Sequence, residues 1–217
     1  ITPYSAAHVG HAMRAVVFDV LRRYLSYRGH TVRHVENFTD VDDKMIDGAA
    51  KAGVAVTDLA ESNIASYLSE MDGLNILRAD EYPRATAEID KIVEMVAGLV
   101  DKGYAYASGG DVYFRVRACK DYGKLSHRDV DKLLSGARVS VSEDKEDALD
   151  FALWKSQKPG EPAWESPWGP GRPGWHIECS AMAARFPWAA LADRLSEAAR
   201  ARPHQFDIHG GGSGLVF

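Results

Sequence analysis

The chain switches repeatedly between two apolar periods, and this alternation constrains its architecture more than any single motif. Over residues 12–28, Val16, Val17, Val20, Leu21, Tyr24 and Leu25 recur at three- and four-residue spacing and Gly29 follows, the pattern of an amphipathic helix with its stop signal. Residues 31–35 then alternate with period two, which predicts a short strand running into a polar loop over 37–43. Residues 59–71 and 85–100 return to the helical period. The second of these is built on Ile89, Ile92, Val93, Val96, Leu99 and Val100 and is closed by Gly103. Strand, polar loop and helix in succession predict an α/β fold with a parallel sheet covered on both faces.

After Gly103 the texture changes. Tyr104, Ala105, Tyr106 and Ala107, a turn over 108–111, and then Val112, Tyr113, Phe114, Arg115 and Val116 predict a β-hairpin. A short helix over 129–134 and a charged stretch over 143–147 complete what reads as an insertion. Residues 151–154 resume a strand-like run, followed by a loop rich in proline and glycine from Pro159 to Gly174. Loops of that length are usually functional. The expected organisation is a first half over 1–102, an inserted connective segment over 103–147 and a second half over 148–217.

Composition removes several classes. With 46% hydrophobic residues and 26% charged, the chain is neither disordered nor fibrous. Its 26 Lys and Arg against 31 Asp and Glu give a net charge of −5, which argues against a simple nucleic-acid coat but leaves room for a nucleic-acid substrate held by local contacts. No apolar run reaches membrane-spanning length and no signal-peptide pattern opens the chain, so a cytoplasmic protein is expected. Two cysteines, Cys119 and Cys179, make no disulfide framework and fit a reducing compartment. Because it begins at Ile1 and ends at Phe217 just past a glycine run, the chain reads as cut at both ends.

Four motifs carry candidate chemistry. His8-Val9-Gly10-His11 opens a helix: a glycine there admits a ligand to the backbone, the positive helix end favours phosphate, and flanking imidazoles can donate to developing negative charge. Two surface histidines beside a helix cap are the alternative. Asp40, Asp42 and Asp43 stand at a strand end but fit no calcium-loop register, and at least two are read as helix-start residues. Trp175, His176 and Cys179 follow the proline-rich loop. Cys179 reads as a small buried side chain or as one ligand of an incomplete zinc site, and no oxyanion hole stands beside it for a Cys/His hydrolase. Finally, Phe206-Asp207-Ile208-His209-Gly210-Gly211-Gly212 reads as a strand entering a glycine turn, suited to a flat or anionic ligand or simply a flexible loop.

In this order the segments resemble the catalytic domain of the cysteinyl-tRNA synthetase family of class I aminoacyl-tRNA synthetases. The resemblance covers Thr2-Pro3-Tyr4, the HIGH-type His8-Val9-Gly10-His11, residues 37–44, 110–116, 121–126, 136–139, 149–155, 158–162, 171–182 and 206–212. It implies a Rossmann-like nucleotide-binding domain with an inserted α+β segment. It implies ATP-dependent activation of L-cysteine, with Mg2+ accompanying ATP, and transfer to tRNA(Cys). By the same resemblance His8 and His11 are the catalytic pair, and His8, Gly10, His11, His209, Gly210 and Gly211 hold ATP. Thr39, Trp175 and His176 line the cysteine pocket.

The family's zinc binds the substrate thiolate, and a soft sulfur on zinc discriminates against a serine hydroxyl. Cys179 aligns with one protein ligand of that zinc. The others are expected two residues before Ile1 and just beyond Phe217, and the family's KMSKS loop and anticodon-binding domain are not found within these 217 residues. Two departures stand out: Gly214 replaces an aspartate expected at the ribose, and residues 183–205 are longer than the usual link. Two other readings share the adenylation motifs: a ligase joining cysteine to an amino-sugar in mycothiol synthesis, and an inactive truncated paralogue serving as a binding module. The segments 110–116, 121–126 and 149–155 favour the tRNA ligase over the first.

Overall fold

The computed structural model describes residues 1–124, 144–174 and 176–186, and the chain divides into two compact units, Ile1–Glu88 and Ile89–Phe217. In the first unit, helix α1 (Val9–Tyr27) begins one turn earlier than apolar periodicity predicts. The reason is local, because the His8 side chain caps it. Its C-terminal end falls as expected, with Gly29 at a φ of +85°. Helix α2 (Asp43–Ala52) is capped by Asp42, whose carboxylate accepts the Met45 N–H at 2.7 Å. Asp43 stands in its first turn and Gly53 closes it in the left-handed conformation. Two of the three clustered carboxylates are therefore helix-start residues. Helix α3 (Val56–Gly73) packs on α2, so close at Gly48 that a Cβ there would lie 3.2 Å from the Leu59 side chain.

Three extended segments meet at Phe38. The Ile1 N–H donates to Asn37 O at 2.8 Å and Thr39 N–H donates to Ile1 O at 2.7 Å, the alternation of a parallel pair. On the other side Phe38 N–H donates to Pro83 O and Ala85 N–H donates to Phe38 O, a second parallel bridge. A third parallel bridge joins Val35 and Glu81. The expected strand over 31–35 does not form beyond this bridge, and no parallel strand is built among the described residues. Pro83 has no N–H to donate, and the Asp80 carboxylate takes the His34 N–H at 2.7 Å, so side chains interrupt the ladder. The helix expected over 85–100 is divided for a related reason. Asp40 accepts both the Thr86 N–H at 3.0 Å and its hydroxyl at 2.6 Å, so a 3-10 turn (Ala85–Ala87) precedes helix α4 (Ile89–Asp101).

The second unit holds α4, a four-stranded sheet and helix α5 (Ile177–Ala184). Its strands are β1 (Ala105–Ser108), β2 (Asp111–Phe114), β3 (Phe151–Ser156) and β4 (Gly171–Pro173), in spatial order β1-β2-β3-β4 and antiparallel throughout. The expected parallel sheet is not found among these residues: every strand pair is antiparallel, and the two-residue turn joining β1 to β2 permits nothing else for that pair. The β1-β2 hairpin forms as predicted, because Gly109 and Gly110 supply the two positive φ values that its two-residue turn needs. β4 lies within the proline-rich loop as an edge strand, where Pro173 costs no ladder bond. Gly171 and Gly174 permit this, since a Cβ would stand 2.3 Å from Lys155 O at the first and 1.9 Å from Ala152 O at the second. Ile92 and Val96 of α4, Val112 and Phe114 of β2, Leu153 and Trp154 of β3, and Ile177 and Ala181 of α5 form one core.

Asp42 yields a pH prediction. Burial, and then the neighbouring Asp43 charge, push its carboxyl above the usual range despite the Met45 N–H bond. A folded-state pKa above the unfolded one contributes stability below the unfolded value, and that contribution is lost as pH rises through the folded one. Asp42→Asn keeps the cap without the buried charge. In urea denaturation at pH 7 it is expected to match or exceed the parent and to flatten the stability profile near pH 4. Asp42→Ala, which removes the cap, loses about 1 kcal/mol.

Candidate active site

The N-terminus of α1 is built from two imidazoles that use the same type of nitrogen inward. His8 Nδ1 accepts the Gly10 N–H at 3.1 Å, and His11 Nδ1 accepts the His8 N–H at 3.2 Å, a reciprocal capping arrangement. The rings lie 4.0 Å apart, tilted by 34°. With both Nδ1 lone pairs engaged, the proton each neutral ring carries is on Nε2, so the pair offers Nε2–H donors. Burial lowers the His11 pKa, followed by the charges of His8 and Arg14, which keeps His11 in that neutral state at physiological pH.

Gly10 is required by this packing, because a Cβ there would stand 3.0 Å from His8 Cε1. The first turn of α1 contains no acidic residue, whereas α2, α3 and α4 carry Asp43, Asp58 and Asp90 in theirs. Those carboxylates complement their own helix dipoles, whereas the first turn of α1 supplies imidazole nitrogens in their place.

Thr39 lies in the same unit, buried, on the segment paired to Ile1. Its hydroxyl is 2.6 Å from the Thr2 hydroxyl and 3.1 Å from Ile1 O, so its position is fixed by the first two residues. Beside it the carboxylates diverge: Asp40 holds Thr86, Asp42 caps α2 and Asp43 is exposed. Sequence reasoning missed Arg14, Glu36 and Tyr67. The Glu36 carboxylate receives both the Arg14 guanidinium and the Tyr67 hydroxyl, and the Tyr67 ring stands edge-on to His11 at 6.4 Å. Their spacing in the chain carries no signal of this; only the Arg14 position, three residues after His11 on one helix, hints at it.

In the second unit His176 and Cys179 stand at the start of α5. His176 is its N-cap residue with φ at +77°, a left-handed conformation rare for a residue with a Cβ. Its N–H donates to Glu178 Oε2 at 3.1 Å, and Glu178 is fully buried, another residue that the motif reading passed over. Cys179 is half-buried, in the first turn of the helix. Among the described residues no three His, Cys, Asp or Glu side chains are grouped to hold a metal ion. Trp175, His209, Gly210 and Gly211 lie outside the described residues. No helix among the described residues is long and apolar enough to cross a membrane.

Comparison with known proteins matches the whole chain, residues 1–217, to the family of class I (C) tRNA synthetase catalytic domains. A cysteine–tRNA ligase of Dehalococcoides mccartyi is 55% identical over 217 residues, which is all of this chain and 44% of that protein. The cysteine–tRNA ligase of Caldicellulosiruptor saccharolyticus is 51% identical over 216 residues, and that of Nitratidesulfovibrio vulgaris 55% over 218, covering 43% and 42% of those proteins. The chain spans under half the length of these curated relatives.

The strained backbone at His176 is testable. Holding a non-glycine residue in the left-handed region costs about 1 kcal/mol. His176→Gly removes that strain but adds unfolded-chain entropy, so its denaturation midpoint is expected at or slightly above that of the parent. A loss of stability of more than about 1 kcal/mol would show that the imidazole is held for packing rather than for the site.

Proposed function

Because the chain belongs to the family of class I (C) tRNA synthetase catalytic domains, we propose that it carries the amino-acid-activating site of a cysteine–tRNA ligase. In this reading the carboxylate of L-cysteine attacks the α-phosphorus of ATP, pyrophosphate leaves, and cysteinyl-adenylate forms. The acyl group then passes to the 3′ end of tRNA(Cys), and AMP is released. The observation that carries the proposal is the reciprocal cap of α1, whose paired imidazoles present Nε2–H donors at a helix terminus without its own carboxylate. Charge that builds on the α-phosphate in the transition state meets donors already oriented, which lowers the barrier more than equal binding of the ground state would. Neutral His11 suits a donor role, since it needs no proton loss or gain during the step.

His209, Gly210 and Gly211 are proposed for the adenosine half of ATP, and Thr39, Trp175 and His176 for the cysteine pocket. Mg2+ enters with ATP as part of the substrate. A zinc ion gripping the substrate thiolate belongs to the same reading, with Cys179 as one ligand. The described residues do not by themselves form such a site, and no step is derived through the metal. The parallel bridges around Phe38 support reading the first unit as part of a Rossmann-like sheet, and the division into 1–102, 103–147 and 148–217 is retained as the proposed organisation. The cytoplasm is the proposed location, where tRNA and ATP are present. Ligation to an amino-sugar and a purely binding role are not favoured, since the relatives described above carry the tRNA-ligase name.

The test is cysteine-dependent ATP–pyrophosphate exchange, followed by charging of tRNA(Cys), with the ligase that contains this chain. His11→Asn and His8→Asn are each expected to lower exchange by roughly a hundredfold or more while circular dichroism stays unchanged. Activity on the amino-sugar without tRNA charging would replace this reading, and wild-type exchange that did not depend on cysteine would end it.

A further inference from the structure

We propose that Glu36 is a positioning residue for the α1 terminus: it gathers the Arg14 guanidinium and the Tyr67 hydroxyl on one carboxylate oxygen, and the tyrosine ring fixed in this way sets His11. The inference rests on the reading that His11 handles ATP. Four observations carry it. Tyr67 donates to Glu36 Oε1 at 3.0 Å, and Arg14 donates to the same oxygen. The Tyr67 ring is buried and meets His11 edge-on at 6.4 Å and 76°, while it also stands edge-on to Phe38 at 5.9 Å. Glu36 is anchored through its own N–H to Glu81 O, and its side chain is only 10% exposed. The cavity that it lines with His34 and Tyr67 is about 10 Å³, room for a single water and no larger ligand. The carboxylate therefore acts through its protein partners.

Glu36 stands three residues before Thr39 and is bonded to a residue one helical turn beyond His11. It ties the helix proposed to face ATP to the segment proposed to face cysteine. A carboxylate shared by a cation and a hydroxyl in a nearly dry site is held tightly, and removing it leaves a part-buried guanidinium without its counter-ion. The groups facing His11 are the Ile1 amino group, His8 and Arg14 on α1, and Tyr67 and Glu70 on α3, with Glu36 behind Arg14 and Tyr67. Arg14 lowers the His11 pKa and Glu70 raises it. Glu36, bonded to Arg14 and Tyr67, places a negative charge against the guanidinium that faces His11 and fixes the ring beside it.

Two readouts test this. The first is the imidazole titration of His11 followed by NMR in the 217-residue chain, which needs no activity. The second is the division between KM for ATP and kcat in ATP–pyrophosphate exchange by the ligase that contains the chain. Glu36→Gln keeps the shape and loses the charge. It is expected to move the His11 titration further below the parent's and to raise KM for ATP on the order of tenfold, with a smaller change in kcat. Tyr67→Phe keeps the ring and breaks only its tie, and it is expected to raise KM for ATP by a smaller factor with the fold intact. If Glu36→Gln does not fold, Tyr67→Phe alone decides.

Folded variants with an unchanged His11 titration and unchanged KM for ATP would overturn the proposal. So would a fall in kcat alone, the mark of a merely smaller folded fraction. If the parent shows no cysteine-dependent exchange, the functional reading fails, and the titration still decides whether Glu36 positions His11.

Discussion

Parallel pairing on both sides of Phe38 is the constraint that organises the first unit. A residue between two extended neighbours has its N–H and C=O committed, here to Pro83 O and the Ala85 N–H, while Ile1 pairs across the other edge through Asn37 and Thr39. The ring of Phe38 is then fixed in depth, 1% exposed, edge-on to Tyr67 and stacked on Tyr82 at 5.6 Å. Burying such a ring contributes roughly 1.5–3 kcal/mol, and the aromatic contacts add to it. Everything proposed to be chemical in this unit is measured from that point. Thr39 is the next residue, Glu36 lies two before it, and Tyr67 leans on its ring while presenting its own edge to His11.

The electrostatics at the α1 terminus follow from this frame. The other long helices place an aspartate in the first turn and so complement their own dipoles, while α1 closes its first turn with neutral imidazole nitrogen. Such a cap satisfies backbone donors without supplying negative charge. The difference decides what the terminus can do, since a carboxylate there would repel a phosphate that neutral nitrogen acceptors leave welcome. Gly10 is the geometric condition, because only without a Cβ can the His8 ring fold down over the turn it caps.

How much of this was legible in sequence depends on whether the decisive partner was local. The stop of α1, the start of α2 and the β1-β2 hairpin were readable, because Gly29, Asp42, Gly109 and Gly110 act on their own backbone or on residues two or three away. The strand expected over 31–35 and the unbroken helix over 85–100 failed for one reason: carboxylates distant in sequence took their backbone donors. Asp80 claimed the His34 N–H across 46 residues, and Asp40 claimed Thr86 across another 46. Periodicity carries no trace of such a bond. The same holds for the site, where His8, Gly10 and His11 announce themselves as a motif, while Glu36 and Tyr67 enter only when the chain brings α1, the 34–40 segment and α3 together.

The second unit shows the complementary case, in which backbone space rather than charge sets position. Gly171 and Gly174 let β4 run so near β3 that side chains there would collide with Lys155 O and Ala152 O. The chain leaves this edge strand and enters α5 through His176, whose left-handed backbone is secured by the buried carboxylate of Glu178. A residue without the strain would suit the turn better, and glycine is already used at three nearby positions, Gly169, Gly171 and Gly174. Holding an imidazole-bearing residue there costs about 1 kcal/mol of conformational energy, and the bond from its N–H to Glu178 offsets part of that cost. The strain therefore sits at the entrance to the helix that carries Cys179 one turn on, where a backbone N–H bond to a buried carboxylate holds it in place.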